Sequence, residues 1–296
     1  MPTLSYVVIS PVKDEAPYIG ATLDSICAQT IRPLRWIIVD DGSSDATAEI
    51  VDLRARQCEW ITLVRRPRSG MRGAGSPVVA AFNLGLELVR DEKFDLIVKL
   101  DGDLQIPPAY FERLLRRFEE DPRLGIASGV YCERKETGWE PVDMPDYHAA
   151  GASKAIRRRC FEEIGGFVAS RGWDTVDEIR AQTHGWRTRH FPDLTFQHLR
   201  AEGSARGPLY TSRLHGEVYY LTGGSLPFFL IKALHRMIST KPLFLGGIML
   251  LAGYLRPLVQ RRPRLVSPSE AKHYRRTLNR RVTSIFTGMA RSSREG

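Results

Sequence analysis

Cysteine is scarce in this chain of 296 residues, and what there is lies scattered: Cys27, Cys58, Cys132 and Cys160. No two form a CxxC pair, which excludes a zinc ribbon and a thioredoxin-type redox motif. The expectation is reduced thiols in a cytoplasmic protein. A basic leader is also missing. Tyr6-Val7-Val8-Ile9 runs straight into a strand pattern, so no signal peptide is expected. No apolar run is long enough for a bilayer. Leu243 to Leu255 is uncharged but has only about half of the ~20 residues a span needs. A hairpin over Leu226 to Leu255 would bury Lys232, Arg236 and Lys241, which is costly. Acidic residues are nearly absent from the C-terminal end. From Arg256 onward there are eleven Lys and Arg against two acids, Glu270 and Glu295, so the whole net charge of +9 resides there. A neutral body with a basic tail argues against a nucleic-acid groove. Repeats and low-complexity stretches are lacking too.

The apolar share, 43%, is ordinary for a globular chain, and the length suits one large domain plus an appendage. The expected boundaries are 1–210 and 211–296. Strand and helix signals alternate over the first 130 residues. Tyr6 to Ser10, Trp36 to Val39, Trp60 to Val64 and Leu96 to Leu100 read as strands. Ile19 to Cys27, Ala46 to Arg56 and Ser76 to Arg90 read as helices. That order predicts an α/β fold with a mostly parallel sheet flanked by helices. Further on, Ala149 to Phe167 reads as a strand and helix closing on glycines, Asp174 to Gly185 as a helix, and Thr188 to Phe191 and Leu194 to His198 as strands.

Ligands of parallel sheets bind beyond the carboxyl ends of the strands. Pro11, Asp40-Asp41 and Asp101-Gly102-Asp103 all sit at such ends. Two carboxylates one residue apart suit a hard divalent cation, with the glycine read as allowing a tight turn. Asp40-Asp41-Gly42-Ser43-Ser44-Asp45 precedes a helix, where Ser43, Ser44 or Asp45 would serve as an N-cap. The acidic pair exceeds what a cap requires and leaves one carboxylate for a nucleobase edge.

Pro11-Val12-Lys13-Asp14-Glu15, Ser25-Ile26, Gln29-Thr30, Ile37 to Asp45, Asn83, Gly85 and Leu100-Asp101-Gly102-Asp103 stand in order over residues 5 to 200. In this the chain resembles the family 2 glycosyltransferases. The resemblance implies the GT-A fold and an inverting transfer from a nucleotide sugar. Pro11, Val12 and Glu15 would line the nucleoside pocket, and Asp41 would meet uracil or guanine. Asp101, Gly102 and Asp103 would serve the ribose, the diphosphate and a Mn or Mg ion. The general base is expected at the start of a late helix, some eleven residues before a Gly-aromatic pair. Counting back from Gly185-Trp186 gives Asp174, although Trp173 replaces the usual acidic neighbour. Asp177 and Glu178 are rivals, and Asp174 has the alternative of a mere N-cap. His198 is a candidate third metal ligand. Arg200 or Arg206, on a loop that could close on the diphosphate, and Arg72 are candidate phosphate binders.

For the C-terminal region the expectation is an apolar segment lying in a membrane interface, followed by basic residues drawn to anionic headgroups: Arg261, Arg262, Arg264, Arg275, Arg276, Arg280 and Arg281. The alternative is a helical pair packed on protein. By analogy the acceptor is a polyprenyl-linked or polysaccharide glycan, reached at the inner face of the cell membrane. Two rivals remain. A sugar nucleotidyltransferase usually carries an N-terminal glycine-rich loop, and Pro11 to Glu15 has no glycine. A non-catalytic, membrane-docked protein of the same fold would have no need of Asp41, Asp101, Asp103 and Asp174.

Overall fold

The structure, a computed structural model, describes residues 2–67, 77–200, 207–239 and 243–292. They divide into two compact units, Met1–Ala201 and Glu202–Gly296.

In the first unit, alternate strand residues feed two cores. β1 (Tyr6–Val12) sends Tyr6, Val8 and Val12 to one core, and Val7 and Ile9 to the other. β2 (Arg35–Asp40) splits Trp36 and Ile38 from Ile37 and Val39 in the same way. With both faces covered, these strands read as unbroken apolar runs. β3 (Ile61–Arg65), β2, β1 and β4 (Leu96–Leu100) pair in parallel in that order. The intervening helices are α1 (Ile19–Cys27), α2 (Thr47–Ala55) and α3 (Pro77–Glu87).

The expected parallel pattern holds for this half. Beyond β4 the sheet is mixed. Next in chain order come β5 (Leu104–Gln105), α4 (Tyr110–Glu120), β6 (Leu124–Lys135) and β7 (Gly138–Pro141). They are followed by β8 (Ser153–Arg157), α5 (Arg158–Glu163), α6 (Trp173–Thr183) and β9 (Arg187–His198). The order continues β4-β8-β6-β9-β5, with β8 antiparallel to both its neighbours. The two short strands expected over 188–198 are one strand. Its pairing with β6 skips from Phe191 to Thr195 between Gly129 and Val130. Pro192 falls in the skip, where the ladder needs no amide from it.

The second unit is helical: α7 (Pro208–Leu221), α8 (Leu226–Ser239), α9 (Leu245–Val259) and α10 (Pro268–Ser292). α7 and α9 pack closely because they touch through glycines. A Cβ on Gly216 would stand 2.0 Å from the Leu250 carbonyl oxygen. The far sides of α8 and α9 leave Leu230, Leu234 and Ile238, then Ile248, Leu255 and Val259, exposed at helical spacing. Among the described residues no helix is long and apolar enough to cross a membrane. Several arginines of the basic stretch are engaged within the unit. Arg262 pairs with Glu217 at 2.5 Å, Arg264 lies over the Tyr220 ring, and Arg275 donates to the Gly223 carbonyl.

Candidate active site

Register places three strand ends side by side. Val12 pairs with Asp40 and Ile9 with Lys99, so the ends of β2, β1 and β4 are neighbours. Pro11 and Val12 close β1, Glu15 follows in the turn, Asp41 follows β2, and Asp101 to Asp103 join β4 to β5. The loops are tied together. The Asp41 amide donates to the Val12 carbonyl at 2.9 Å, and the Glu15 amide donates to Thr47 Oγ1 at 2.8 Å. Ser43 and Ser44 do not cap α2. Ser43 donates to Asp40, and the Ser44 amide and hydroxyl donate to Asp14. The N-cap is Ala46, with no side-chain cap, so none of the three expected residues holds that position; Asp45, one residue earlier, accepts the Thr47 amide at 3.0 Å. Asp41 is held by Arg66, with Nη1 to Oδ1 at 2.9 Å.

Pairing of β5 with β9 sets Leu104 opposite His198. The Leu199 amide donates to the Asp103 carbonyl at 2.8 Å. His198 is thereby brought to Asp103, with Nε2 3.3 Å from Oδ1. Ligand atoms of Asp101, Asp103 and His198 all lie within 4.8 Å of one another. Two hard carboxylate oxygens and one imidazole nitrogen fit a divalent ion of the first transition row.

The carboxylates have cationic partners on both sides. Lys99 is ion-paired with Asp101 and donates to the Gly151 carbonyl at 2.9 Å. Arg200 pairs with Glu15 and, through Nε at 3.1 Å, with Asp103. Burial, then the charge of Asp103, pushes Glu15 up to about 7 despite Arg200. Burial also raises Asp101, against the pull of Lys99. Asp103 is pushed up by burial as well, yet the hydrogen bond and charge of His198, with Arg200, hold it below the usual carboxylate range.

Gly102 is required by space. It is absent from the glycines with positive φ, so the expected tight turn is not the reason for it. A Cβ there would sit 2.9 Å from Val12 Cγ1.

The three acidic residues of α6 separate into two environments. Gly172, with φ +82°, is the N-cap, so Asp174 is a first-turn residue and not the cap. Asp174 is half-buried. Its carboxylate packs over Gly151, where an added Cβ would lie 3.6 Å from Oδ2. Asp177 and Glu178 are buried beneath it. Lys154 Nζ lies 3.0 Å from Asp177 Oδ2 and 3.1 Å from Glu178 Oε1, and His148 Nδ1 is 3.1 Å from Glu178 Oε2. Burial pushes Asp177 up to about 7. Glu178 is depressed, because His148 and Lys154 outweigh its burial. Arg72 and Arg206 lie outside the described residues.

Lys99, Arg66, His148 and Lys154 were not anticipated. Only Lys99 has a clear signal in the sequence: it is the one charge in the apolar run Leu96 to Leu100, two residues before Asp101.

A profile described as glycosyl transferase family 2 matches residues 7–173, more than half of the chain. The chain belongs to glycosyl transferase family 2. An undecaprenyl-phosphate 4-deoxy-4-formamido-L-arabinose transferase from Serratia proteamaculans is 34% identical over 176 residues, covering 53% of this chain and 50% of that one. The enzyme of the same name from Pseudomonas paraeruginosa is 26% identical over 270 residues, covering 84% and 70%. This family 2 chain thus spans half the length of the Serratia relative. Among solved structures, the mannosyltransferase PcManGT from Pyrobaculum calidifontis, in complex with GDP-Man and Mn2+, has a TM-score of 0.55 at 19% identity, covering 98% of this chain and 82% of that one. S. aureus TarS 1-349 in complex with UDP-GlcNAc has a TM-score of 0.53 at 15% identity, covering 92% and 78%. These likenesses place the fold as GT-A.

Proposed function

We propose that this family 2 chain transfers a sugar, with inversion, from a UDP- or GDP-linked donor to a hydroxyl of a lipid-linked or polysaccharide acceptor. The observation that carries this reading is the convergence of Asp101, Asp103 and His198 at the carboxyl ends of the parallel strands. Pro11, Val12 and Glu15 wall the nucleoside pocket, and Asp41, oriented by Arg66, accepts from the base edge. Arg200 and Arg72 are assigned to the diphosphate. Mn or Mg held by Asp101, Asp103 and His198 would supply positive charge to the departing diphosphate. Asp174 takes the proton of the acceptor hydroxyl as its oxygen attacks the anomeric carbon. The bond from that carbon to the diphosphate oxygen breaks, and the nucleoside diphosphate leaves from the opposite face. Asp177 is the weaker candidate for the base, because its carboxylate is buried against Lys154 and presents no free oxygen to an acceptor.

The relatives' names favour a second reading of the acceptor, a polyprenyl phosphate. A phosphate oxyanion is already nucleophilic and needs no base. Either acceptor fits peripheral attachment at the inner face of the cell membrane, for which the exposed apolar faces of α8 and α9 and the exposed Arg256 and Arg261 provide apolar area and charge.

The test begins with a panel of UDP- and GDP-linked sugars, screened by thermal shift and by release of nucleoside diphosphate, with Mn2+, Mg2+ or a chelator. Turnover of one donor, lost with the chelator, is expected. Binding of a donor without any turnover would instead favour a non-catalytic protein. D174N should keep nucleotide binding and lose transfer; full transfer by D174N would favour the phosphate acceptor.

A further inference from the structure

Lys99 and Lys154 face each other across the antiparallel β4–β8 pair. Like charges directly opposite repel, and both residues are buried, at 4% and 0% exposure. The Trp173 ring lies near both, its centroid 5.6 Å from Lys99 Nζ and 5.5 Å from Lys154 Nζ. The work of Lys99 is plain, since it binds Asp101. Lys154 has no part in the reaction as described. Two buried carboxylates, Asp177 and Glu178, account for its charge. They do not account for its shortest bond, 2.7 Å from Nζ to the main-chain carbonyl of Asp174.

We propose that Lys154 is a positioning residue for the transfer. By holding the Asp174 carbonyl together with Asp177 and Glu178, it locks the first turn of α6 against β8. That lock fixes the Asp174 carboxylate over Gly151, whose own carbonyl is held by Lys99 beside Asp101. The base and the donor-side carboxylate are thus tied to one short segment, residues 151–154, by two ammonium groups. Lys154 acts through Asp174 and touches no reacting atom. Displacement of a reacting group by about 1 Å costs on the order of 100-fold in rate, so such a brace has a measurable consequence. The role rests on the reading of Asp174 as base. The competing role is that of a charge plug, in which Lys154 only neutralises Asp177 and Glu178.

The two roles separate when charge and position are removed together. K154M alone strands the buried Asp177 carboxylate, leaves Glu178 with His148 only, and endangers the fold. K154M/D177N removes one charge of each sign and leaves Glu178 matched by His148. K154M/D177L, which replaces the carboxyl group by an apolar side chain and again leaves Glu178 to His148, is the second form of the same test. Wild type, both double variants and D174N are compared for melting temperature and for release of nucleoside diphosphate from the donor that the wild type turns over. The expectation for the double variants is a folded protein, a donor KM within about threefold of wild type, and a kcat about 100-fold lower. A kcat near wild type in a folded double variant overturns the positioning role in favour of the plug. So does a raised KM with kcat intact. Failure of both double variants to fold overturns it as well, because Lys154 would then determine the fold and not the place of one carboxylate. If D174N transfers at the wild-type rate, the base assignment itself has failed, whatever the double variants do.

Discussion

Replacing Gly102 by alanine tests why a glycine separates the two candidate metal ligands. Gly102 lies outside the positive-φ region, so alanine meets no backbone strain. By itself such an exchange stabilises by about 0.4–1 kcal/mol, through the unfolded chain. Space works the other way. The new Cβ would stand 2.9 Å from Val12 Cγ1 and 3.3 Å from both Glu15 Cγ and Ile19 Cδ1. Val12 and Ile19 are 3% and 0% exposed, and a β-branched strand residue has little χ1 freedom with which to withdraw. Overpacking costs about 1–3 kcal/mol, so a net loss of about 0.5–2 kcal/mol remains. At about 2–4 °C per kcal/mol for a domain of this size, the melting temperature falls by a few degrees. The carboxylates on either side move by a few tenths of an ångström, and turnover falls by about two- to fivefold, scaled from about 100-fold per ångström. V12A removes the closest contact. In a cycle of wild type, G102A, V12A and the double variant, the second substitution should cost less in the presence of the first, with a coupling of about 1 kcal/mol. Differential scanning fluorimetry and Mn2+-dependent release of nucleoside diphosphate read the two quantities. Wild-type melting and turnover in G102A, or strict additivity in the cycle, would refute the close-approach argument.

Three other expectations follow from the same geometry. H198A should raise the divalent-ion concentration needed for half-maximal turnover by at least about tenfold, because one of the three candidate ligands is lost; an unchanged Mn2+ titration would remove His198 from the metal site. His148 is raised above its ordinary value because Glu178 outweighs its burial. Its stabilising contribution is therefore full below about pH 6.5 and is lost as pH rises through the raised value; urea melts on either side of that window should show the loss in wild type and a flatter profile in H148N. On α8 and α9, Leu234, Ile238 and Val259 are exposed, Val259 at 79%. Changing all three to glutamate should abolish co-sedimentation with phosphatidylglycerol vesicles, and added salt should weaken the wild type; sedimentation of the triple variant at the wild-type level would sink the membrane reading.

The first half of the fold was legible because each element carries its own local period. The β1, β2 and β4 runs are unbroken and apolar because both faces are covered, and each ends on a residue that punctuates it. Residues 104–135 carry a signal just as local, with Tyr110, Phe111, Leu114, Leu115 and Phe118 buried at helical spacing along α4, yet the sequence reading assigns no element there. In the sequence β9 reads as two strands, since Pro192 interrupts its alternation, and only the partner strand shows that the ladder resumes beyond it. Gly102 reads in the sequence as a tight turn, and the structure gives close approach to Val12 as the reason for it instead. A sequence displays the absence of a side chain but not the Val12 methyl that would meet one.

The candidate site divides along the same line. Asp41, Asp101 and Asp103 stand at strand ends within a few residues of their own apolar runs, so local pattern finds them. His198 joins them through the Leu104–His198 register, a pairing that no short window contains. The Asp174 and Asp177 alternatives were inseparable from spacing, since both lie in the early turns of one helix. What separates them is Lys154, which arrives from β8 and occupies one of them entirely while touching only the main chain of the other. The register that sets Lys154 opposite Lys99 also decides which carboxylate of α6 stays free for chemistry. On the proposed reading of Asp174 as base, the choice between the two carboxylates is therefore a consequence of strand pairing, made by a residue with no motif of its own.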